Sequence, residues 1–295
     1  MTVDLAAAAD FMATHARLLD RRRFQLIIGK AEPATVVAAL DAFRNGDGGY
    51  GWGLEPDLRS SESQPGAALH AFEVFEEIAP ATAAQAVALC DWLASVALPD
   101  GGLPFALPVT NAAGCAPFWV QADATVSSLQ ITAVVAATAH RAGAHNPALA
   151  AHPWLAGATR YCLAAIDELG DAPHALELAF AIQLLDAVHN THPEAAGLLR
   201  RLASHISPGG LVHVAGGLED EMLRPLDFAP TPDRPVRAVI SAEVVAADLH
   251  RLTAGQQPDG GWTVDFASYS PAARLDWRGY LTVRAVSVLK RNAMI

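Results

Sequence analysis

The segment Arg44-Asn45-Gly46-Asp47-Gly48-Gly49-Tyr50-Gly51-Trp52 contains an Asp-Gly-Gly turn that returns along the chain. The same tripeptide stands at 100–102 and 259–261, and Pro208-Gly209-Gly210 is a degenerate copy. The first glycines of the four copies stand at 48, 101, 209 and 260. The outer intervals are therefore 53 and 51 residues, and the middle interval of 108 is two periods. A repeat near 53 residues predicts a chain built from one recurring structural unit.

Each interval between turns carries two helical patterns. The pattern at 64–78 begins with Pro65, a residue favoured in the first turn of a helix, and repeats apolar side chains at three-residue steps. The pattern at 81–97 follows Pro80 and ends before the turn at 100–102. No strand is needed to account for the chain. The same spacing predicts further helices near 3–18, 33–43, 124–142, 154–169, 173–190, 194–206, 242–253 and 272–290.

Helical hairpins of about 53 residues cannot bury their apolar faces alone and must stack on one another. About five to six of them fit in 295 residues, and an α/α toroid of six hairpins closes without the polar end caps of an open solenoid. The final helix, 272–290, is apolar on several sides, as expected at the seam of a ring. The sequence therefore predicts an all-α protein in which residues 1–295 form a single α/α toroid of about five to six hairpins.

Composition and charge limit the classes of function. Hydrophobic residues make up 52% of the chain and charged residues 17%, which predicts a folded protein with a large core. With 20 basic and 31 acidic residues the formal net charge is −11, so nucleic acid is not expected as a partner. The first residues lack the pattern of a secretory signal, and no run of about 18 apolar residues occurs. We therefore expect a cytoplasmic protein with at most peripheral membrane contact.

The segment Gln256-Gln257-Pro258-Asp259-Gly260-Gly261-Trp262 resembles the QW motif of squalene-hopene cyclases, and 44–52 is a looser copy. Through these repeats most of the chain resembles the superfamily of terpene cyclases and protein prenyltransferase β-subunits. The resemblance implies an α/α toroid that binds or cyclises an isoprenoid or another apolar small molecule in its central cavity. The turn aromatics Trp52 and Trp262 would either pack between hairpins or line that cavity.

Family members that protonate an alkene or an epoxide carry a DxDD motif whose middle Asp is the general acid. The corresponding stretch here is 121–125, Gln-Ala-Asp-Ala-Thr, in which Asp123 keeps the middle position. Gln121 and Ala124 replace the first and last Asp of the motif. The resemblance implies that Asp123 is the catalytic acid and that Gln121 lies beside the substrate.

Asp123 also has a structural interpretation. An Asp just before a helix caps free backbone N–H groups, and the positive end of the helix dipole lowers its pKa, which opposes proton donation. A general acid for a carbon double bond instead needs an apolar setting that raises its pKa. Phe118 and Trp119 precede Asp123 and would provide such a wall and stabilise a cation. Both interpretations stay open from the sequence.

Two polar loops are expected at one mouth of the toroid. The loop at 53–65 carries Glu55, Asp57 and Glu62, whose carboxyls would serve acid–base catalysis of the glycosidase kind or be simply solvated. The loop at 265–271 leads into the last helix, and its mix of polar and aromatic side chains suits a binding pocket or a self-packed surface loop. The side chains behind this second loop that we expect to contact a substrate are Trp277, Arg278 and Tyr280.

No metal or other cofactor is predicted. The last inner helix holds no Cys or His for the zinc site of prenyltransferases, and the P-loop and dinucleotide motifs are missing. The segment Arg21-Arg22-Arg23 would hold a diphosphate or close the first helix at its negative end. Protonating family members place their site between two toroid-like domains, so a single toroid implies a homodimer or a partner chain. A carbohydrate-active toroid and a non-catalytic ligand-binding or scaffold toroid are the alternative functions.

Overall fold

A computed structural model describes residues 2–295 of the chain, and those residues are mostly helical. Helices account for 54% of the structure, with 14 α-helices and two strands in the described part, which confirms the all-α class. None of these helices is long and apolar enough to cross a membrane. The helices are α1 Leu5–Thr14, α2 Leu18–Ile27, α3 Pro33–Leu40, α4 Pro65–Glu77, α5 Gln85–Val96, α6 Pro117–Val120, α7 Leu129–Gly143, α8 Pro147–Ala150, α9 Pro153–Asp167, α10 Ala175–Val188, α11 Ala195–Ala203, α12 Pro225–Phe228, α13 Ala242–Ala254 and α14 Pro271–Arg291.

The two strands are a departure from the sequence analysis, which needed none. Strands β1 (Val212–His213) and β2 (Met222–Leu223) pair antiparallel. They follow the degenerate turn at 208–210, where the repeat is weakest. Gly216 adopts a φ of +81° in the loop that joins them, a conformation that favours glycine. A short β-hairpin therefore lies between the degenerate turn and α12.

The start of α7 differs from the prediction of a helix at 124–142. Residues 121–127 are not helical, and α7 begins at Leu129. The Ser128 hydroxyl accepts a hydrogen bond from the backbone N–H of Ile131 at 3.3 Å, so Ser128 is the N-cap. The interpretation of Asp123 as the cap of this helix is therefore wrong.

The first predicted helix, 3–18, ends early, and a further helix that the sequence analysis did not predict follows it. α1 ends at Thr14, and α2 covers Leu18–Ile27. One interpretation of the sequence placed Arg21-Arg22-Arg23 at the end of the first helix. The triplet instead lies inside α2, so that interpretation is wrong. Within this triplet Arg23 is buried, with 4% of its surface exposed, so it faces the interior and not the solvent.

The Asp-Gly-Gly turns share one backbone geometry. Gly48, Gly101 and Gly260 each have a φ of +93°, which only glycine adopts without strain. In each turn the Asp carboxylate accepts a hydrogen bond from the N–H of the second glycine, at 2.9, 3.0 and 3.2 Å. Asp47 and Asp100 also accept a serine hydroxyl at 2.8 and 2.7 Å. The sequence repeat is therefore a repeat of turn structure.

The long helices pack side by side. α4 packs on α7, α7 packs on α10, and α14 packs on α2. Ion pairs add to these contacts, because Arg23 of α2 binds Glu77 of α4 at 2.7 Å and Arg284 of α14 binds Asp227 of α12 at 2.7 Å. Buried apolar residues drawn from Ala8 to Leu289 form one continuous core. A large cavity is lined by side chains of α4, α7, α10 and α14.

Candidate functional site

The cavity has a volume of about 1070 Å³, at the upper end of the range usual for small-molecule sites. One wall, from α7 and α10, contributes apolar side chains such as Ile131, Val134 and Ala179. Aromatic rings are numerous around it, and several contact one another edge to face or stacked. The aromatic residues of the lining are Phe105, Phe118, Trp119, Phe180, Phe228, Trp262, Phe266, Tyr269, Trp277 and Tyr280.

A buried histidine stands between two carboxylates on the wall that α4 contributes to the cavity. His70 of α4 is 3% exposed, with Nε2 2.9 Å from Oε2 of Glu55 and Nδ1 3.1 Å from Oε2 of Glu73. Burial alone would lower the pKa of His70, but the two carboxylates outweigh it and raise the pKa to about 9. At neutral pH the ring is therefore a cation that donates one hydrogen bond to each carboxylate.

The Glu73 carboxylate is the centre of this network. Tyr280 donates its hydroxyl to Oε1 of Glu73 at 2.6 Å, and Arg23 lies 3.4 Å from Oε2. Burial opposes ionisation of Glu73, but the charges of His70 and Arg23 and the Tyr280 hydrogen bond lower its pKa to about 2. Arg23 also binds both oxygens of Glu77, at 2.7 and 2.8 Å. Each charged side chain of this wall therefore has at least one partner of opposite charge.

Asp57 is a buried carboxyl that does not belong to this charged set. It is 4% exposed and lines the cavity. Trp277 Nε1 donates to its Oδ2 at 2.7 Å, and the backbone N–H of Tyr269 donates to Oδ1 at 2.9 Å. Desolvation by burial raises the pKa of Asp57 and outweighs the opposing hydrogen bonds from Tyr269 and Trp277. Glu55 orients this residue, because its Oε1 accepts the backbone N–H of Asp57 at 3.0 Å.

Asp123 lies outside the cavity lining. It is part of a surface turn, in which Oδ1 accepts the backbone N–H of Thr125 at 2.8 Å and the Thr125 hydroxyl at 2.6 Å. These hydrogen bonds lower the pKa of Asp123. A lowered pKa in a solvated turn is the opposite of what proton donation to a carbon double bond requires. The neighbouring Gln121 is exposed and outside the lining as well.

The other predicted contact residues divide into two groups. Trp52 is outside the lining, 58% exposed, and held at a φ of +56° with its indole N–H on Asn45. Arg278 also points elsewhere, to Asp259 at 2.8 Å and over the Phe11 ring. Glu62 is outside too and accepts the Thr110 backbone N–H. The predicted residues that the fold brings to one cavity are Glu55, Asp57, Phe118, Trp119, Trp262, Trp277 and Tyr280.

Sequence reasoning missed His70 and Glu73, and it named Arg23 only as part of the triplet at 21–23. A signal for the first two was present, since His70 and Glu73 are three residues apart in an otherwise apolar helix and therefore share a face. Glu77 follows one turn later on the same face. The pairing of Arg23 with these carboxylates left no signal, because Glu73 and Glu77 lie 50 and 54 residues away in the sequence.

Comparison with known proteins assigns no function to the site. No model of a protein family matches the chain, and no curated protein matches it either. Across residues 2–295, no cluster of three or more His, Cys, Asp or Glu side chains is arranged to hold a metal ion. The described residues offer proton transfer and charge pairing beside a cavity rich in aromatic side chains.

Proposed function

We propose that the chain binds an isoprenoid or another apolar small molecule in the cavity and acts on it as a terpene-cyclase-like enzyme, with Asp57 as the proton donor. The observation that carries this proposal is the position of Asp57, a buried carboxyl with a raised pKa on the wall of an aromatic cavity. Asp57 takes the role that the sequence resemblance gave to Asp123.

The proposed step is protonation of an alkene. The neutral Asp57 carboxyl gives its proton to one carbon of the double bond, leaving a carbocation on the substrate and a carboxylate on Asp57. A second double bond of the substrate attacks the carbocation, which closes a ring and moves the positive charge to another carbon. Loss of a proton from a carbon next to that charge, or addition of water followed by loss of a proton, completes the reaction, and solvent returns a proton to Asp57. A raised pKa supports this role because more of the carboxyl is protonated near neutral pH.

The aromatic residues of the cavity support the same chemistry. Trp277 lies against Phe266 and Tyr280 with ring centroids 5.1 and 5.3 Å apart, beside the Asp57 carboxyl. Faces of such rings attract a cation, most strongly where water is excluded. Trp277 would thus stabilise the positive charge formed next to Asp57.

The proposal includes closure of the helices into an α/α toroid around the cavity. In its favour, α4, α7, α10 and α14 all contribute to the lining, and α14, near the end of the chain, packs on α2, near its start. The Asp259 turn packs on α1 as well, because a side chain at Gly260 would lie 2.0 Å from the carbonyl oxygen of Ala7. These contacts join the two ends of the repeat array, as a closed ring requires.

A carbohydrate-active toroid is the second candidate. The observation in its favour is that Glu55 and Asp57, the two carboxyls that would flank a glycosidic bond, both line the cavity. The aromatic lining would then serve as a platform for sugar rings. This candidate predicts hydrolysis or elimination of an oligosaccharide and no product from isoprenoids.

The test is incubation of the purified protein with squalene, a series of polyprenyl diphosphates and a panel of oligosaccharides, with products identified by mass spectrometry. We expect a cyclised isoprenoid product. Binding of an isoprenoid without any product would leave a ligand-binding protein and overturn the catalytic part of the proposal. Turnover of an oligosaccharide alone would favour the second candidate.

A further inference from the structure

One face of α14 follows the cavity from its aromatic part to a second, arginine-rich part. Trp277, Tyr280, Arg284 and Arg291 all line the cavity and are separated by steps of three, four and seven residues. Such steps place side chains on one face of a helix. At 1.5 Å per residue, Arg284 lies about 10 Å and Arg291 about 21 Å beyond Trp277 along the helix axis. The cavity is therefore long and chemically different at its two ends.

The second part of the cavity is lined by five arginines and by no lysine. Only three carboxylates form ion pairs with these arginines: Glu76, Asp186 and Asp227. Two of the five guanidinium groups therefore have no carboxylate of their own. We call the five arginines the arginine cluster: Arg141, Arg224, Arg234, Arg284 and Arg291.

The ion pairs of the arginine cluster leave donors free. Arg141 and Arg291 share the two oxygens of one carboxylate, Glu76, at 2.9 and 3.9 Å. The four paired arginines keep between 31% and 39% of their side-chain surface exposed. Arg224 forms none of the ion pairs found among the described residues, and its Nε is buried without an acceptor. A guanidinium has five N–H donors, and the carboxylates present here satisfy only a minority of them.

Helix ends explain part of the arginine cluster but not all of it. Arg141 and Arg291 lie in the last turns of α7 and α14, where a positive side chain stabilises the helix dipole. Arg284 lies about two turns before the end of α14, and Arg224 and Arg234 lie in loops. Three guanidinium groups therefore line the cavity without such a role. Their planar forks match phosphate and carboxylate oxygens.

We propose that the arginine cluster is an anion-binding subsite and that the ligand of the cavity is amphipathic, with an anionic head group of the phosphate or carboxylate type on the cluster. Its apolar body would lie along α7 and α10 towards Trp277. The inference rests on the proposed function in one respect only, the presence of an apolar ligand in the cavity. The head-group chemistry is read from the arginines alone.

The test compares three ligands of equal chain length that differ only in the head group. Decyl phosphate, decanoate and 1-decanol are titrated into the full-length protein below their aggregation limits, and binding is followed by tryptophan fluorescence and calorimetry. We expect the anionic ligands to bind at least tenfold more tightly than 1-decanol and to lose affinity as salt is raised. The ratio between decyl phosphate and decanoate identifies the type of head group.

Arginine variants test whether the preference for anionic ligands arises at the arginine cluster. Arg224→Gln and Arg291→Gln should each weaken the anionic ligands several-fold and leave 1-decanol unchanged, whereas Arg200→Gln, on the exposed end of α11, should change neither. Equal affinity for all three ligands would overturn the anion subsite while leaving the apolar cavity of the proposed function intact. Binding of none of the three would overturn both.

Discussion

Trp277 donates its indole N–H to Oδ2 of Asp57 at 2.7 Å, across a separation of 220 residues in the sequence. This hydrogen bond joins the loop after the first Asp-Gly-Gly turn to the helix after the last one. Both side chains line the cavity, and Asp57 is buried while its pKa is raised. The two ends of the repeat array thus meet at the carboxyl that we propose as the acid.

Replacement of Trp277 by Phe should move the pH dependence of activity. The indole hydrogen bond stabilises the carboxylate form, so its loss raises the pKa of Asp57 further, by about one unit for a hydrogen bond to a charged group. If Asp57 must be protonated, the alkaline limb of the pH–rate profile shifts upward by a similar amount. Trp154→Phe is the control, because the Trp154 indole N–H has no hydrogen-bond partner among residues 2–295. A shift towards lower pH would contradict the role of Asp57.

Gly51 should tolerate no side chain. A Cβ there would lie 2.2 Å from the carbonyl oxygen of Glu62, and backbone cannot move aside as a flexible side chain does. We expect Gly51→Ala to lower the free energy of unfolding by about 1–3 kcal/mol, as overpacking does elsewhere. Gly46→Ala, in the same turn with no atom within 4 Å of its Cβ, should change stability little. Urea unfolding of the two variants checks this, and equal stabilities would show that the turn is looser than described.

The recurring glycines made the turns predictable because few other residues adopt their geometry. Because a φ of +93° at Gly48, Gly101 and Gly260 requires glycine, the turns can be recognised in this one sequence from the recurring Gly residues. The β-hairpin was not predicted, because strands of two residues are too short to show an alternating pattern of apolar and polar residues. The start of α7 was placed too early because Asp123, like Ser128, belongs to the residue types that cap helices, and the structure uses Ser128 as the N-cap.

Stability should fall as the pH rises through the titration of His70. Its pKa is raised from 6.5 to about 9 in the folded state, so the ring contributes stability that is complete below about pH 6.5 and is lost as the pH approaches 9. The shift corresponds to at most about 3 kcal/mol. Urea unfolding between pH 6 and 9.5 should show this decline in the wild type and in His250→Gln, an exposed control. In His70→Gln the decline should be smaller, and an unchanged decline would rule out His70 as its source.

The sequence predicted several residues of the candidate site but not which of them lie together in the fold. Glu55 and Asp57 were predicted from the polar loop at 53–65, and Trp277 and Tyr280 from the segment that follows the loop at 265–271. The sequence did not predict which carboxyl we propose as the acid, because Asp123, the residue that matches the middle Asp of the DxDD motif, lies in a solvated turn. What separates the two Asp residues is burial, and burial of Asp57 depends on residues more than 200 positions away.

The most direct test of the proposed function is one assay of wild type, Asp57→Asn and Asp123→Asn with the isoprenoid substrate that gives a product. Each variant is first shown to be folded by circular dichroism and thermal unfolding. We expect Asp57→Asn to lose at least a hundredfold in rate, as for removal of a general acid, and Asp123→Asn to retain wild-type activity. Loss of activity in Asp123→Asn with retention in Asp57→Asn would contradict the assignment of Asp57 as the proton donor.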